Sequence, residues 1–164
     1  MSEVLWSVFE ILVNLYQGLM VVYFAYVYLG DKNGRKYLHS PAVVFAIIFA
    51  SIVTIINYTT VFEHLYAFVY VIIVFIYCLL CLKGTVLKKL FTAVFSMLIL
   101  LISTAFVGCF TTLLFRTDLY KILSEHNMER CISILAAQLL ILYFVMLSLR
   151  VFKKDNNTNN ELFI

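Results

Sequence analysis

The sequence predicts an all-α protein, an integral membrane helical bundle, and three observations carry that prediction. The chain has 164 residues and is 64% hydrophobic, with a mean hydropathy of +1.01, whereas soluble domains are about 45–50% apolar. It contains one proline and five glycines, so its backbone suits long helices that satisfy their own hydrogen bonds in lipid. Its apolar residues fall into five stretches, each about the length needed to cross a bilayer.

We predict five transmembrane helices within a bundle that spans residues 1–150, followed by a tail over residues 151–164 in which a signalling helix begins. The predicted helices cover residues 4–30, 41–57, 65–82, 90–115 and 131–149. Ser40 is the expected N-cap of the second helix, with Pro41 in its first turn. Hydroxyl-bearing and small residues along the fourth segment predict that it packs centrally. The loop 116–130 is expected to form a short helix at the membrane interface.

The placement of basic residues predicts the orientation. Three of them, Arg116, Lys121 and Arg130, lie on one side of the predicted bundle. Nine lie on the other side: Lys32, Arg35, Lys36, Lys83, Lys88, Lys89, Arg150, Lys153 and Lys154. Because cytoplasmic loops carry the excess of Lys and Arg, we expect an N-terminus outside the cell, a cytoplasmic C-terminus and residence in the plasma membrane.

A polar seam runs along the first predicted helix. Its residues recur at spacings of four, three, four and three, which places them on one helical face; they are Glu3, Ser7, Glu10, Asn14 and Gln17. A charged side chain at membrane depth costs about 2.5–3.5 kcal/mol, so the seam should face other helices or a wet cavity. Asn14 and Gln17 are equally well explained as hydrogen-bonding contacts between helices, whereas Glu10 favours a role in ligand binding or signalling.

The fifth segment adds one strongly polar residue, Gln138. We interpret Glu10 and Asn14 as pocket or relay residues, with Gln17 and Gln138 coupling helices. The pocket is expected between the first, fourth and fifth segments, in their extracellular half. Charged residues on the two external loops are candidates to complement the seam, although a solvated rim explains each one taken singly; they are Glu63, Arg116, Asp118, Glu125, Glu129 and Arg130.

The cysteine and histidine residues suggest two other kinds of site, a thiol peptidase and a redox pair. Cys81 and His39 both fall near the inner interface, where a membrane thiol peptidase would place its nucleophile and base, but no orienting residue is specified. Cys78 and Cys81 have the spacing of a redox pair without its structural context, so packing explains them better, and we predict no disulfide. The sequence contains no phosphate-binding glycine loop, paired-carboxylate site or nucleic-acid motif. We therefore expect no cofactor, no metal and no nucleic-acid partner.

One resemblance emerges from these residues. The opening WSVFEILVNLYQGLMVVYFAYVYLG, with an early Glu, then an amide and a Gln-Gly before an aromatic-rich exit, resembles the membrane sensor modules of bacterial GHKL-type histidine kinases, the group that includes the Agr-type peptide receptors. The five-helix layout and the basic exit LRVFKKDNN are similar too. The resemblance implies a module that detects an extracellular signal, in characterised cases a secreted peptide, and passes it to a cytoplasmic kinase.

The chain also departs from that family. No histidine follows the fifth segment and no ATP-binding motif is present, so we do not expect this chain to be a kinase by itself. It is either a sensor fragment cut where the signalling helix begins or a receptor-like protein without a catalytic half. We predict a dimeric sensor of an extracellular peptide or small ligand that signals through its last helix. The alternative is a small membrane subunit that binds a solute for a transporter.

Overall fold

The computed structural model describes residues 3–32, 40–58, 66–116 and 127–161. These residues form five helices and no strand, which confirms the all-helical prediction for this part of the chain. The helices are α1 (Glu3–Leu29), α2 (Ser40–Tyr58), α3 (Tyr66–Cys81), α4 (Val86–Phe115) and α5 (Met128–Glu161). The predicted interfacial helix in the loop after α4 falls mostly on residues 117–126, outside the described residues.

The fourth helix begins earlier than the sequence predicted. It starts at Val86 and not at residue 90, because Thr85 serves as an N-cap whose hydroxyl accepts a hydrogen bond from the backbone N of Lys88 at 3.4 Å. Gly84, with φ of +106°, makes the turn that precedes this cap. Lys88 and Lys89 therefore belong to the first turns of α4 and not to a basic loop.

The fifth helix extends beyond its predicted bounds at both ends. It begins at Met128 because the Asn127 side-chain oxygen accepts a hydrogen bond from the backbone N of Arg130 at 2.9 Å, as an N-cap does. At its other end it continues past the predicted limit of residue 149 to Glu161. Arg130 and Arg150 thus both lie on one continuous helix, and Arg130 is not a loop residue.

The helices form a closed ring in chain order. Each helix packs against the next, and α5 returns to pack against α1. The first helix also contacts α3 and α4, so it touches every other described helix, whereas α4 contacts α1, α3 and α5. The helix with the most neighbours is therefore α1. The fourth helix turns its small and hydroxyl residues inward, as the sequence predicted: Thr92, Ser96, Ser103, Gly108 and Thr111 are buried.

Close approach of α1 and α2 depends on a glycine. A Cβ atom on Gly18 would lie 2.9 Å from the backbone oxygen of Ala46 and 2.9 Å from Cδ1 of Phe49. Small buried residues at intervals of four along α2, Ala42, Ala46 and Ala50, leave room for this approach. The pairing is antiparallel, because Asn14, nearer the start of α1, meets Thr54, nearer the end of α2.

The first and last helices run parallel. Glu10 contacts Arg130 near the start of each helix, and the rings of Tyr28 and Phe152 lie 4.8 Å apart near the end of α1. An antiparallel bridge between Asp31 and Leu82 joins the residues that follow α1 and α3. Successive helices thus alternate in direction, which puts the start of α1 and the end of α5 at opposite ends of the bundle.

Within the described ranges, three helical stretches are long and apolar enough to cross a membrane: Glu3–Leu29, Val86–Phe115 and Met128–Phe152. The apolar parts of α2 and α3 are shorter, at Pro41–Ile56 and Ala67–Cys81. Large apolar side chains also cover the outside of the bundle, including Leu113, Leu87 and Phe68, which are 69–79% exposed. These properties are those of a membrane protein.

Candidate functional site

A cavity of about 190 Å³ opens between α1, α2, α4 and α5, and it gathers the four residues that the sequence singled out. Glu10, Asn14 and Gln17 reach it from α1, and Gln138 reaches it from α5. Val53 of α2 contributes to the wall as well, so the cavity involves one helix more than the sequence predicted. The structure places the four residues around one cavity. Their roles in binding or relay stay predictions.

The mouth of the cavity holds an ion pair. Arg130 Nη2 donates to Glu10 Oε1 at 2.7 Å, and each side chain is 21% exposed. The same carboxylate oxygen accepts a hydrogen bond from Trp6 Nε1 at 2.8 Å. The guanidinium carbon of Arg130 also lies 5.0 Å from the centre of the Trp6 ring, within cation–π distance. Glu10, on an otherwise largely apolar helix, is thus compensated by a cation, as a charge in an apolar setting requires.

Local structure positions all three partners. Trp6 and Glu10 are four residues apart on α1, which places their side chains on the same face one turn apart. Arg130 lies in the first turn of α5 because Asn127 caps that helix. A cation near a helix N-terminus is disfavoured by the helix dipole, and the carboxylate of Glu10 offsets that cost.

Deeper in the cavity, Asn14 links two helices. Its Nδ2 donates to Thr54 Oγ1 at 2.9 Å, and the Thr54 hydroxyl donates in turn to the backbone oxygen of Ala50 at 2.7 Å. Asn14 is buried, with 6% of its surface exposed. This supports the interpretation of Asn14 as a contact between helices, while its position on the cavity wall keeps it within reach of a bound group.

Gln138 has an unsatisfied polar atom. Its side chain is 8% exposed, and its Oε1 has no hydrogen-bond partner among the described residues. Leaving a buried acceptor unpaired costs about 1–3 kcal/mol. Gln138 lines the cavity, but the unpaired Oε1 itself has almost no accessible surface.

The five residues of the polar seam do not all line the cavity. Glu3 is exposed, and the Ser7 hydroxyl donates to the backbone oxygen of Glu3 at 3.1 Å. Neither residue lines the cavity. Only the inner three seam residues, from Glu10 inward, reach the cavity, so helical spacing alone overstated the extent of the candidate site.

Of the three charged rim candidates that the structure describes, Arg130 alone lines the cavity. Arg116 is exposed and ends α4 with φ of +53°, and Glu129 is half-buried without lining the cavity. Glu63, Asp118 and Glu125 lie outside the described residues. Trp6 and Thr54 were missed by sequence reasoning, although the spacing of Trp6 and Glu10 was a signal that could have connected them.

The structure adds no support for a thiol peptidase or a redox pair among the cysteines. Cys78 is fully buried in the apolar core, Cys81 is partly buried at the end of α3, and His39 lies outside the described residues. The four cysteines are free thiols. Within the described residues, no cluster of three or more His, Cys, Asp or Glu side chains has the arrangement of a metal site.

Comparison of the chain with known protein families, curated proteins and solved structures finds no match. The class that fold and composition define is a helical membrane protein. The likeness to GHKL-type sensor modules therefore stays a prediction from the sequence.

Proposed function

We propose that this chain is the membrane-embedded sensing module of a two-component-type receptor in the plasma membrane. In this proposal five helices cross the bilayer, the N-terminus lies outside the cell and the C-terminal part of α5 lies inside. A ligand binds in the cavity beside Glu10 and Arg130, and the module acts as a homodimer. The observation that carries the proposal is the convergence of Glu10, Asn14, Gln17 and Gln138 on one cavity between the first and last helices.

The Glu10–Arg130 pair is suited to act as a switch. Hydrogen bonds to charged groups contribute about 1.5–3 kcal/mol, and the partners lie on two different helices. A ligand that replaced this contact would shift the balance between two arrangements of α1 and α5 by about 10- to 150-fold. The ligand acts through its difference in affinity for the two arrangements.

The continuous fifth helix provides the route for the signal. It contains 34 residues, which corresponds to about 50 Å at 1.5 Å per residue. Arg130 occupies its first turn, whereas Lys153 and Lys154 lie on the same helix beyond the apolar stretch that ends at Phe152. A displacement at Arg130 can therefore reach the far end of the bundle through a single rigid element.

The size of the cavity restricts the ligand. Its volume of about 190 Å³ is smaller than the roughly 300–1,000 Å³ of ordinary small-molecule pockets. A whole peptide does not fit, so a peptide ligand would insert one terminus or one polar side chain. The amide side chains of Asn14, Gln17 and Gln138 in the wall favour a ligand with hydrogen-bonding groups.

The test joins the chain, after Ile164, to the cytoplasmic kinase core of a characterised receptor that drives a reporter gene. Culture supernatant of the organism that makes the protein is the probe. We expect the wild-type chimera to respond, and Glu10→Gln and Gln138→Leu to reduce the response at least tenfold. Glu3→Gln is the matched control, because it makes the same chemical change on the same helix outside the cavity.

Two results would overturn the sensing proposal. One is a wild-type chimera that responds to no supernatant at any dilution while its membrane level is normal. The other is an identical dose response for wild type, Glu10→Gln and Glu3→Gln.

The cavity size also favours a second candidate, a solute-binding membrane subunit of a transporter. A small solute would fill a space of this volume. Accumulation of radiolabelled solute in cells, lost in Glu10→Gln and retained in Glu3→Gln, would support this function over sensing.

A further inference from the structure

A second and larger cavity lies between α1 and α5 at the opposite end of the bundle. It has a volume of about 380 Å³ and opens onto the surface of the bundle. Apolar and aromatic side chains form most of its wall, and one charged residue, Arg150, completes it; the wall residues used below are Tyr23, Val27, Tyr28, Met146 and Phe152. We call this cavity the α1–α5 groove.

The groove begins at the level where α1 ends. Tyr28 lies next to the last residue of α1 and its ring packs against Phe152 at 4.8 Å. Tyr23 and Met146 lie five and six residues earlier on the two helices, so the groove extends about 8 Å toward the membrane centre. Val27 and Met146 are 47% and 41% exposed, which leaves the apolar wall facing the region of the lipid chains.

Arg150 is the charge at the rim of the groove. It is exposed and forms no ion pair with any residue up to Phe152 whose side chain the structure describes. Lys32, at the same end of the bundle, differs because its Nζ donates to the backbone oxygens of Leu79 and Leu80. The guanidinium of Arg150 therefore retains its donors for an external anion, and a phosphate accepts them in a bidentate geometry.

We propose that the α1–α5 groove binds one anionic phospholipid, with its phosphate on Arg150 and the upper part of an acyl chain between Val27 and Met146. Charge complementarity identifies the headgroup, because a basic residue that opens onto an apolar groove between membrane helices fits an anionic lipid. The two tyrosines suit this depth, since aromatic rings with a polar end favour the membrane interface.

The lipid would lie between the same two helices that carry the Glu10–Arg130 pair. This inference depends on the membrane setting of the proposed function and does not depend on ligand sensing. The two can fail separately, because lipid binding is measured on the purified protein without the sensing reporter.

The test uses native mass spectrometry of the full chain in detergent, titrated with phosphatidylglycerol or with phosphatidylcholine carrying the same acyl chains. We expect the wild type to bind phosphatidylglycerol at least tenfold more tightly. Arg150→Gln should remove that preference. Lys88→Gln is the matched control, since it deletes an exposed cation at the same end of the bundle outside the groove.

A second pair of variants tests the apolar wall. Val27→Trp fills the groove and should weaken binding of both lipids about tenfold, whereas Leu80→Trp, on an exposed face of α3, should weaken neither. Circular dichroism and gel filtration verify that each variant is folded. Soluble glycerol phosphate should not compete, because it lacks the chain that the groove contacts.

Any of four results would overturn the proposal. They are equal wild-type affinity for the two lipids, equal losses in Arg150→Gln and Lys88→Gln, no loss in folded Val27→Trp, and displacement of the lipid by millimolar glycerol phosphate.

Discussion

Glu10 of the first helix and Arg130 of the last are 120 positions apart in the sequence, and they meet in an ion pair of 2.7 Å. The contact fixes the register of α1 against α5 at one end of the bundle. Because each side chain is only 21% exposed, breaking the pair leaves a poorly hydrated charge on either helix. The consequence is measurable in a double-mutant cycle.

We expect Glu10→Gln and Arg130→Gln each to lower the free energy of unfolding by about 1–3 kcal/mol. The double variant should lose less than the sum, with a coupling energy of about 1–2 kcal/mol, because each single change already removes the shared contact. Unfolding by sodium dodecyl sulfate in mixed micelles measures these values. Strictly additive losses would contradict a direct pair.

Gln138→Leu should separate stability from function. Since the Gln138 oxygen is buried and unpaired, an apolar side chain of similar size should raise the free energy of unfolding by about 1 kcal/mol while reducing the response of the reporter chimera at least tenfold. The control is Gln138→Glu, which places a charge in the cavity and should destabilise the protein. A loss of more than about 1 kcal/mol in Gln138→Leu would mean that the amide has a structural partner.

The hydrogen bond between Asn14 and Thr54 should make a modest contribution. Asn14→Ala and Thr54→Val are each expected to destabilise the bundle by about 0.6–2 kcal/mol, the usual range for contacts between membrane helices. Combining them should add little beyond the larger single effect, because both remove the same bond. Thermal unfolding in detergent measures the effect, and independence of the two losses would show that the contact does not form.

Gly18→Ala should weaken the packing of α1 against α2. The added methyl group would lie 2.9 Å from both the Ala46 oxygen and Phe49, so we expect a loss of about 1–3 kcal/mol in spite of the better helix propensity of alanine. Ala105→Val, on an exposed face of α4, is the control and should change the free energy of unfolding little. A Gly18→Ala variant more stable than wild type would show that the helices can separate without cost.

Orientation can be measured directly with single cysteines in a background that lacks the four natural ones. A membrane-impermeant maleimide should label Glu3→Cys on intact cells. Lys83→Cys should be labelled only after permeabilisation, since it lies at the end of the bundle that carries most basic residues. The reverse pattern would invert the proposed topology, and labelling of both on intact cells would contradict an odd number of crossings between them.

Much of the fold follows from sequence alone because membrane helices are specified by length and hydropathy. The five helical segments were found near their observed positions. The errors fell at Thr85 and Asn127, where a capping side chain started the helix earlier than hydropathy indicated. A hydropathy profile assigns a polar cap and a charged first turn to a loop, because both are hydrophilic. The capping residue is nevertheless a signal for the start of a helix.

The candidate site was predictable only in part. Helical periodicity identified Glu10, Asn14 and Gln17 because residues on one helix share a face whatever the rest of the chain does. Gln138 was identifiable because it is the strongly polar residue of an apolar helix. Periodicity also included Glu3 and Ser7, which the cavity leaves out, since spacing carries no information about where a neighbouring helix begins and ends.

The sequence by itself determined the class of protein, the helical segments and the polar face of α1, because these depend on local composition and spacing. Only the tertiary structure decided that Arg130 is the partner of Glu10, that Thr54 is the partner of Asn14 and that α1 contacts every other described helix. Partner choice depends on which faces meet when the ring closes. That closure is a property of packing between distant segments, and no local pattern encodes it.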